Sequence, residues 1–142
     1  NYTLLPEKTS GYDHTIRMNG VETVHNNTLL AAPTDKIESL KEEPIRLESL
    51  WIGSSYLNIR LYMNFYSEAH SLALVTDESS LSEDPIELYL KHDSNNDKEG
   101  VPIRLHASFS LKEVLGEPEK NKNIRIYVNT SNYGEQIYDL VY

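Results

Sequence analysis

An all-β fold, an antiparallel sandwich or barrel, is what this sequence predicts, and two observations carry the prediction. Apolar and polar residues alternate along one segment after another, and the segments are separated by clusters of Gly, Pro, Asn and Asp. Period two marks a strand with one face in a core and one in water, because successive strand side chains point to opposite sides. The clusters supply the residues that reverse a chain. Short strands with such punctuation argue for a sandwich or barrel.

Taken in order, the front residues are the least regular. "YDHTIRMNGVETV" predicts a hairpin turning at Asn19-Gly20, a dipeptide that readily takes positive φ at both central turn positions. "TDKIESLKEEP" predicts a capped turn or short helix, with Ile37 and Leu40 three apart and Pro44 as its stop. Composition changes near Glu43-Pro44, which divides the chain into residues 1–43 and 44–142. "YLNIRLYMNFY" then puts Leu57, Ile59, Leu61, Met63 and Phe65 on one face and Tyr56, Asn58, Arg60, Tyr62, Asn64 and Tyr66 on the other. "HSLALVT" and "IELYLKH" follow, the latter with Ile86, Leu88 and Leu90 inward. "IRLHASFSL" turns Ile103, Leu105, Ala107, Phe109 and Leu111 inward, and "NIRIYV" does so with Ile124, Ile126 and Val128. Between these two, "SLKEVL" has Ser110 and Glu113 at capping-box spacing and predicts one helical turn. "QIYDLVY" closes a set of six strands.

Composition narrows the function classes. A net charge of −9 and a pI near 4.9 argue against a phosphate-binding surface, so nucleic acid is not an expected partner. The absence of cysteine removes thiol catalysis, thiolate metal sites and disulfides together. No apolar run approaches a membrane span. The chain opens on "NYTLL", without an initiating Met or a signal-peptide core, so the gene product is expected to begin upstream.

Candidate chemistry is sparse. "HDSNNDKEG" places Asp93, Asn95 and Asp97 at alternate positions, as a calcium loop of EF-hand type would. Counting from Asp93, however, Lys98 stands where the hinge glycine belongs and Arg104 where the bidentate Glu belongs. The expectation is a reversal built on Asx side chains, with no metal. Of the five histidines, His14, His25, His70, His92 and His106, none has metal-protease spacing, although His70 and His92 are placed for a cross-strand pair. A strand-end histidine more often satisfies nearby backbone groups. No nucleophile elbow, Walker loop or dinucleotide fingerprint is present, and no cofactor is expected.

Ten tyrosines against two Phe and one Trp are the remaining signal. Tyr56, Tyr62, Tyr66, Tyr89 and Tyr127 fall on outward positions, interleaved with Arg60, Lys91 and Arg125. A ring with a polar tip can stack on a sugar or anchor a protein. Tyr56, Arg60, Tyr62, Tyr66, Tyr89 and Tyr127 are therefore the candidate ligand-binding residues.

From Pro44 onward the chain resembles the NigD-like proteins, surface lipoproteins of Bacteroidetes. The residues that carry the resemblance are the Trp-Ile-Gly-x-x-Tyr-Leu-Asn run from Trp51 to Asn58, His70 opening the next strand, and Lys91, His92, Asp93 and Asp97 around an Asx turn. The resemblance implies an antiparallel β-sandwich over 44–142, preceded in residues 1–43 by the last part of an OB-like barrel. It implies a cell-envelope location, at the outer-membrane surface or in the periplasm, with membrane attachment only through a lipid anchor that this chain lacks. The expected role is a non-catalytic binding or structural module touching a surface protein or glycan, the alternative being a hydrolase with its site upstream or at the domain junction. A barrel remnant would also leave an unpaired strand edge, which predicts homo-oligomerisation.

Overall fold

The computed structural model describes residues 2–19, 23–118 and 121–142. Its elements in chain order are β1 (Tyr2–Leu5), β2 (Thr15–Met18), β3 (His25–Thr28), β4 (Leu30–Ala32), α1 (Thr34–Ser39), β5 (Arg46–Gly53), β6 (Tyr56–Phe65) and β7 (Ser71–Asp77), then β8 (Ile86–Asp93), β9 (Val101–Ser110), α2 (Lys112–Leu115), β10 (Asn123–Thr130) and β11 (Gly134–Val141). A 3-10 turn, Glu78–Ser82, joins β7 to β8.

Two sheets face each other, one of five strands in the order β11-β10-β8-β7-β4 and one of four in the order β3-β9-β6-β5. The inward residues of each alternating segment meet between them: Leu57, Ile59 and Leu61 of β6, Leu72 and Leu74 of β7, Leu88 and Leu90 of β8, Phe109 of β9, and Ile124, Ile126 and Val128 of β10 share one buried cluster. Removing such side chains from water is the main driving term of the fold, at about 1.5–3 kcal/mol for each one fully buried.

Most strand pairs are antiparallel, as expected, but three are parallel: β10 with β8, β3 with β9 and β4 with β7. The last two come from a segment in which the sequence pattern shows no strand. His25–Thr28 runs along the edge of the four-stranded sheet. Leu29, only 1% exposed, then plugs the side of the sandwich, and Leu30–Ala32 runs along the edge of the five-stranded sheet. The sandwich therefore reaches upstream of Glu43-Pro44 to His25, because these edge strands take their hydrogen bonds from its sheets. Helix α1 contacts β7, and Ile37 and Val75 are buried outside the main core, so the helix caps the outer face of the five-stranded sheet.

The front of the chain departs from expectation. Thr15–Met18 pairs with Tyr2–Leu5 in a separate two-stranded sheet, and the turn expected at Asn19-Gly20 reaches outside the described residues. The six predicted strands of the tail are all present. Their alternation overstates burial at one end. Met63, Phe65 and Leu105 are half-buried and Ile103 is 41% exposed, together lining an open apolar groove of about 280 Å³ where β6 and β9 run past the facing sheet. The expected helical turn forms as α2, with Leu111 as its N-cap, while the Ser110 hydroxyl donates to the Glu113 carboxylate.

Candidate functional site

Two arrangements bring polar side chains together. The first lies at one end of the sandwich and contains the opening loop. Asp93 Oδ1 accepts from Asn95 N at 2.7 Å and from Lys41 Nζ at 2.8 Å, while Asn95 and Asn96 take left-handed φ of 55° and 60°. These are the marks of an Asx reversal. Asp97 is the clamp. Its Oδ2 accepts from Tyr66 N at 2.8 Å, its Oδ1 from Lys98 N at 2.9 Å, and both oxygens take Ser67 N at 3.2–3.3 Å. Gly100 completes the loop, since a Cβ there would stand 2.0 Å from the Phe65 carbonyl oxygen. The loop between β8 and β9 is thus locked to the turn between β6 and β7.

The expected histidine pair is formed at this clamp. His70 Nδ1 and His92 Nε2 are 3.0 Å apart, His70 Nε2 lies 3.3 Å from Asp97 Oδ2, and His92 Nδ1 lies 3.2 Å from the Glu43 carbonyl. Three contacts need three hydrogens, and two neutral imidazoles carry two. With both rings neutral, one of the three contacts therefore carries no hydrogen. Burial pushes His92 below the usual histidine range, against the Glu43 carbonyl, which favours its charged form, and with the help of the neighbouring His70. For Asp97, burial pushes upward, but the amides of Tyr66, Ser67 and Glu68 and the His70 ring outweigh it and hold the carboxyl at about 2. The cluster therefore ties loops together through backbone groups. Among the described residues no group of three or more His, Asp or Glu could hold a metal ion.

The second arrangement is the outer face of the four-stranded sheet. Strand register sets Trp51 of β5 opposite Asn58 of β6, Asn58 opposite Ser108 of β9, and Ser108 opposite Asn26 of β3, so one row crosses all four strands. Beside it, Tyr56 sits between Gly53 and Ser110. Asn26, Gly53, Tyr56, Asn58 and Ser108 line a shallow depression of about 470 Å³, closed at one side by Glu113, with Trp51 beside it. Ser108 Oγ and Asn58 Oδ1 are 3.0 Å apart, and Asn58 Nδ2 reaches the Tyr56 carbonyl at 3.3 Å. Arg60, next along β6, lays its guanidinium 5.2 Å from the Trp51 ring centre.

The six tyrosine and arginine candidates do not share a surface. Tyr56, Arg60 and Tyr62 point outward from the four-stranded sheet, Tyr62 beneath the Arg46 guanidinium at 4.1 Å. Tyr66 lies in the turn held by Asp97 and is 63% exposed. Tyr89 and Tyr127 point outward from the five-stranded sheet, on the opposite side of the sandwich, with rings stacked 5.0 Å apart. Both of their hydroxyls donate to Glu87, at 2.8 and 2.7 Å. Burial and this carboxylate push Tyr89 far above the usual tyrosine range, and the Glu87 hydrogen bond raises Tyr127 as well. Sequence reasoning missed Trp51, Gly53, Ser108 and Asn26. The first three could have been found by parity, since Ser49, Trp51 and Gly53 alternate with Leu50 and Ile52, and Ser108 stands between Ala107 and Phe109. Asn26 carries no such signal in "HNNT".

Comparison with known proteins agrees with this architecture. The family model described as the NigD-like C-terminal beta sandwich domain matches residues 27–142. No curated protein sequence matches. Among solved structures, the chain is similar to a protein of unknown function DUF1344 from Bacteroides vulgatus ATCC 8482, with 27% identity and a TM-score of 0.80 over 99% of this chain and 68% of that one. It shares its fold with a protein described as toxin-related from Parabacteroides distasonis ATCC 8503, with 21% identity and a TM-score of 0.75 over 99% and 69% of the two chains. A NigD-like immunity protein from Bacteroides caccae ATCC 43185 has the same fold, with 22% identity and a TM-score of 0.70 over 99% and 74%. By the match over its sandwich, which takes in most of its length, the chain belongs to the NigD-like family.

Proposed function

We propose that the chain is a non-catalytic binding module of the cell envelope that holds its ligand on the outer face of the four-stranded sheet. The observation that carries this reading is the contrast between the two outer faces. On the five-stranded sheet, Tyr89, Tyr127 and Glu87 satisfy one another, and Arg125 is paired with Asp139 at 2.8 Å. On the four-stranded sheet, Trp51 and Tyr56 are 40% and 44% exposed, and neither Trp51 Nε1 nor the Tyr56 hydroxyl has a hydrogen-bond partner among the described residues. Exposed aromatic rings with unspent polar tips are what binding surfaces use. Among the described residues Glu113 is the one carboxylate at the depression, whereas acid–base hydrolysis of a glycoside uses two across a cleft.

The test is retention without turnover. The chain, immobilised, is exposed to polysaccharide and protein fractions of a Bacteroides envelope, washed, and eluted for mass analysis. A retained component of unchanged mass, lost with Trp51→Ala and kept with Tyr127→Phe, is the expected result. Shortened fragments in the eluate would instead favour a hydrolase. Equal retention by Trp51→Ala would remove the face from consideration.

A further inference from the structure

We infer that the depression lined by Asn58 and Asn26, with Trp51 at its edge, binds a neutral oligosaccharide; this rests on the reading of that face as a binding surface and names its ligand class. A sugar ring offers two chemistries at once. Its C–H faces are apolar and its rim is a ring of hydroxyls, each both donor and acceptor. A matching site needs an aromatic surface beside uncharged groups that can also donate and accept. Amides and hydroxyls do this, and charged side chains do not.

The row from Trp51 to Asn26 supplies both parts in register. Three inter-strand gaps separate its ends, so the track is about 14 Å long. A short oligosaccharide laid across the strands would meet the Trp51 ring at one end and amides beyond it. Several polar groups there are uncommitted. Trp51 Nε1, the Tyr56 hydroxyl and the Asn26 amide make no hydrogen bond among the described residues, and Asn58 spends one N–H and one acceptor position, leaving the others. Gly53 keeps the floor low between them: a Cβ on it would stand 3.3 Å from Asn58 Nδ2 and 3.7 Å from Trp51 Nε1, the two donors that converge above it.

Charge points the same way. In a chain of net charge −9, Glu113 is the one ionic group lining this depression among the described residues, and its carboxylate is already hydrogen-bonded to Ser110. An anionic glycan would meet that carboxylate with no cation among the described residues that line the depression, Arg60 lying outside it over Trp51. A neutral one meets amides, hydroxyls and rings, with the Arg60 guanidinium only at the Trp51 end, 5.2 Å from that ring. The shallow geometry implies weak binding, in the high-micromolar to millimolar range, for any single short chain.

The experiment uses the only tryptophan of the chain as its reporter, because Trp51 stands at the edge of the depression, its Nε1 3.7 Å from where a Cβ on the lining residue Gly53 would be. The full chain is titrated with neutral gluco-, manno-, galacto-, xylo- and N-acetylglucosamine oligosaccharides while Trp51 emission and its quenching by acrylamide are followed. Expected is a saturable emission shift with at least one series and about a twofold fall in quenching. Asn58→Ala and the milder Tyr56→Phe should each weaken the apparent affinity several-fold, and Tyr127→Phe, on the opposite sheet, should leave it unchanged. No saturable change with any of the five series overturns the inference. If an acidic oligosaccharide, a peptide or a protein protects Trp51 where the neutral sugars do not, the ligand class is wrong and the binding face stands. If nothing protects Trp51, both readings fall.

Discussion

Glu87 is the acceptor on which the outer face of the five-stranded sheet depends, and replacing it with Gln isolates what its charge contributes. The carboxylate takes two phenolic hydroxyls, from Tyr89 at 2.8 Å and Tyr127 at 2.7 Å, beneath two stacked rings. A hydrogen bond to a charged group contributes about 1.5–3 kcal/mol and a neutral one about 0.5–1.5. Neutralising one carboxylate that serves two donors thus forfeits roughly 2 kcal/mol, and partial exposure reduces this to about 1–2 kcal/mol. For a chain of this size that is a fall in Tm of about 3–7 °C. Two assays check it. Thermal unfolding at neutral pH should show Glu87→Gln below the parent, and the double cycle with Tyr127→Phe should show the two losses to be less than additive. Alkaline titration followed by tyrosinate absorbance should show a late-ionising fraction that moves to lower pH in Glu87→Gln, because the carboxylate helps hold Tyr89 and Tyr127 above the usual range. The sign of the pH effect follows from linkage. The native tyrosines keep their protons longer than unfolded ones, so stability falls as pH rises above about 10. Glu87 itself is held below the usual carboxylate range by the Tyr127 and Tyr89 hydroxyls, so its contribution is present above about pH 4.3 and is lost as pH falls below it. Superimposable melting and titration curves for Glu87→Gln and the parent would refute the reasoning.

The remaining predictions concern the clamp, the core and the hairpin. Asp97 is held at about 2 in the fold, below the unfolded value near 3.9, so its stabilisation is complete above about pH 4 and disappears as pH falls towards 2; the gap in urea midpoint between the parent and Asp97→Asn should be open at pH 6 and closed near pH 2, and a gap unchanged with pH would show that the charge does not matter. Phe109, with no exposed surface between the sheets, should cost about 3–5 kcal/mol as Phe109→Ala, read from denaturant unfolding, and a loss under 1 kcal/mol would mean the core is not packed as described. We propose that the two-stranded sheet mediates self-association, since Tyr2 pairs with Met18 and Leu4 with Ile16, all four more than half exposed; sedimentation should show dimers that Ile16→Lys disrupts, and a strict monomer at high micromolar concentration would count against it.

What was legible in the sequence follows from what burial writes into it. Strands β6 to β11 lie between two environments, and each therefore carries an alternation that can be read without knowing its partner. Strands β3 and β4 lie at sheet edges. "HNNT" buries nothing that would mark a strand, and "LAA" is too short to show a period, so only the backbone bonds to β9 and β7 reveal them. The parallel pairing of β8 with β10 was hidden for a related reason. Local pattern fixes which way a side chain faces and says nothing of which strand lies alongside. Ile103 shows the limit within a strand whose alternation is plain, because alternation assigns a face while burial depends on whether the opposite sheet extends that far.

The tyrosines make the same point about function. All were candidates on equal grounds, as large rings with polar tips at outward positions, yet the fold divides them by what each hydroxyl finds. Tyr89 and Tyr127 find Glu87, and a group whose polar tip is already spent gains nothing further from a ligand unless that bond is broken first. Tyr56 finds no partner among the described residues and keeps both its exposed ring and its hydroxyl. Around it, Asn58 and Ser108 are only partly engaged and the Asn26 amide makes no hydrogen bond among the described residues, and Gly53 leaves them room. A row of polar groups in a folded chain either closes on itself or stays open. Where the closed row adds stability and the open one lies in a depression beside an exposed tryptophan, the open row is the one with free energy left to gain from a ligand.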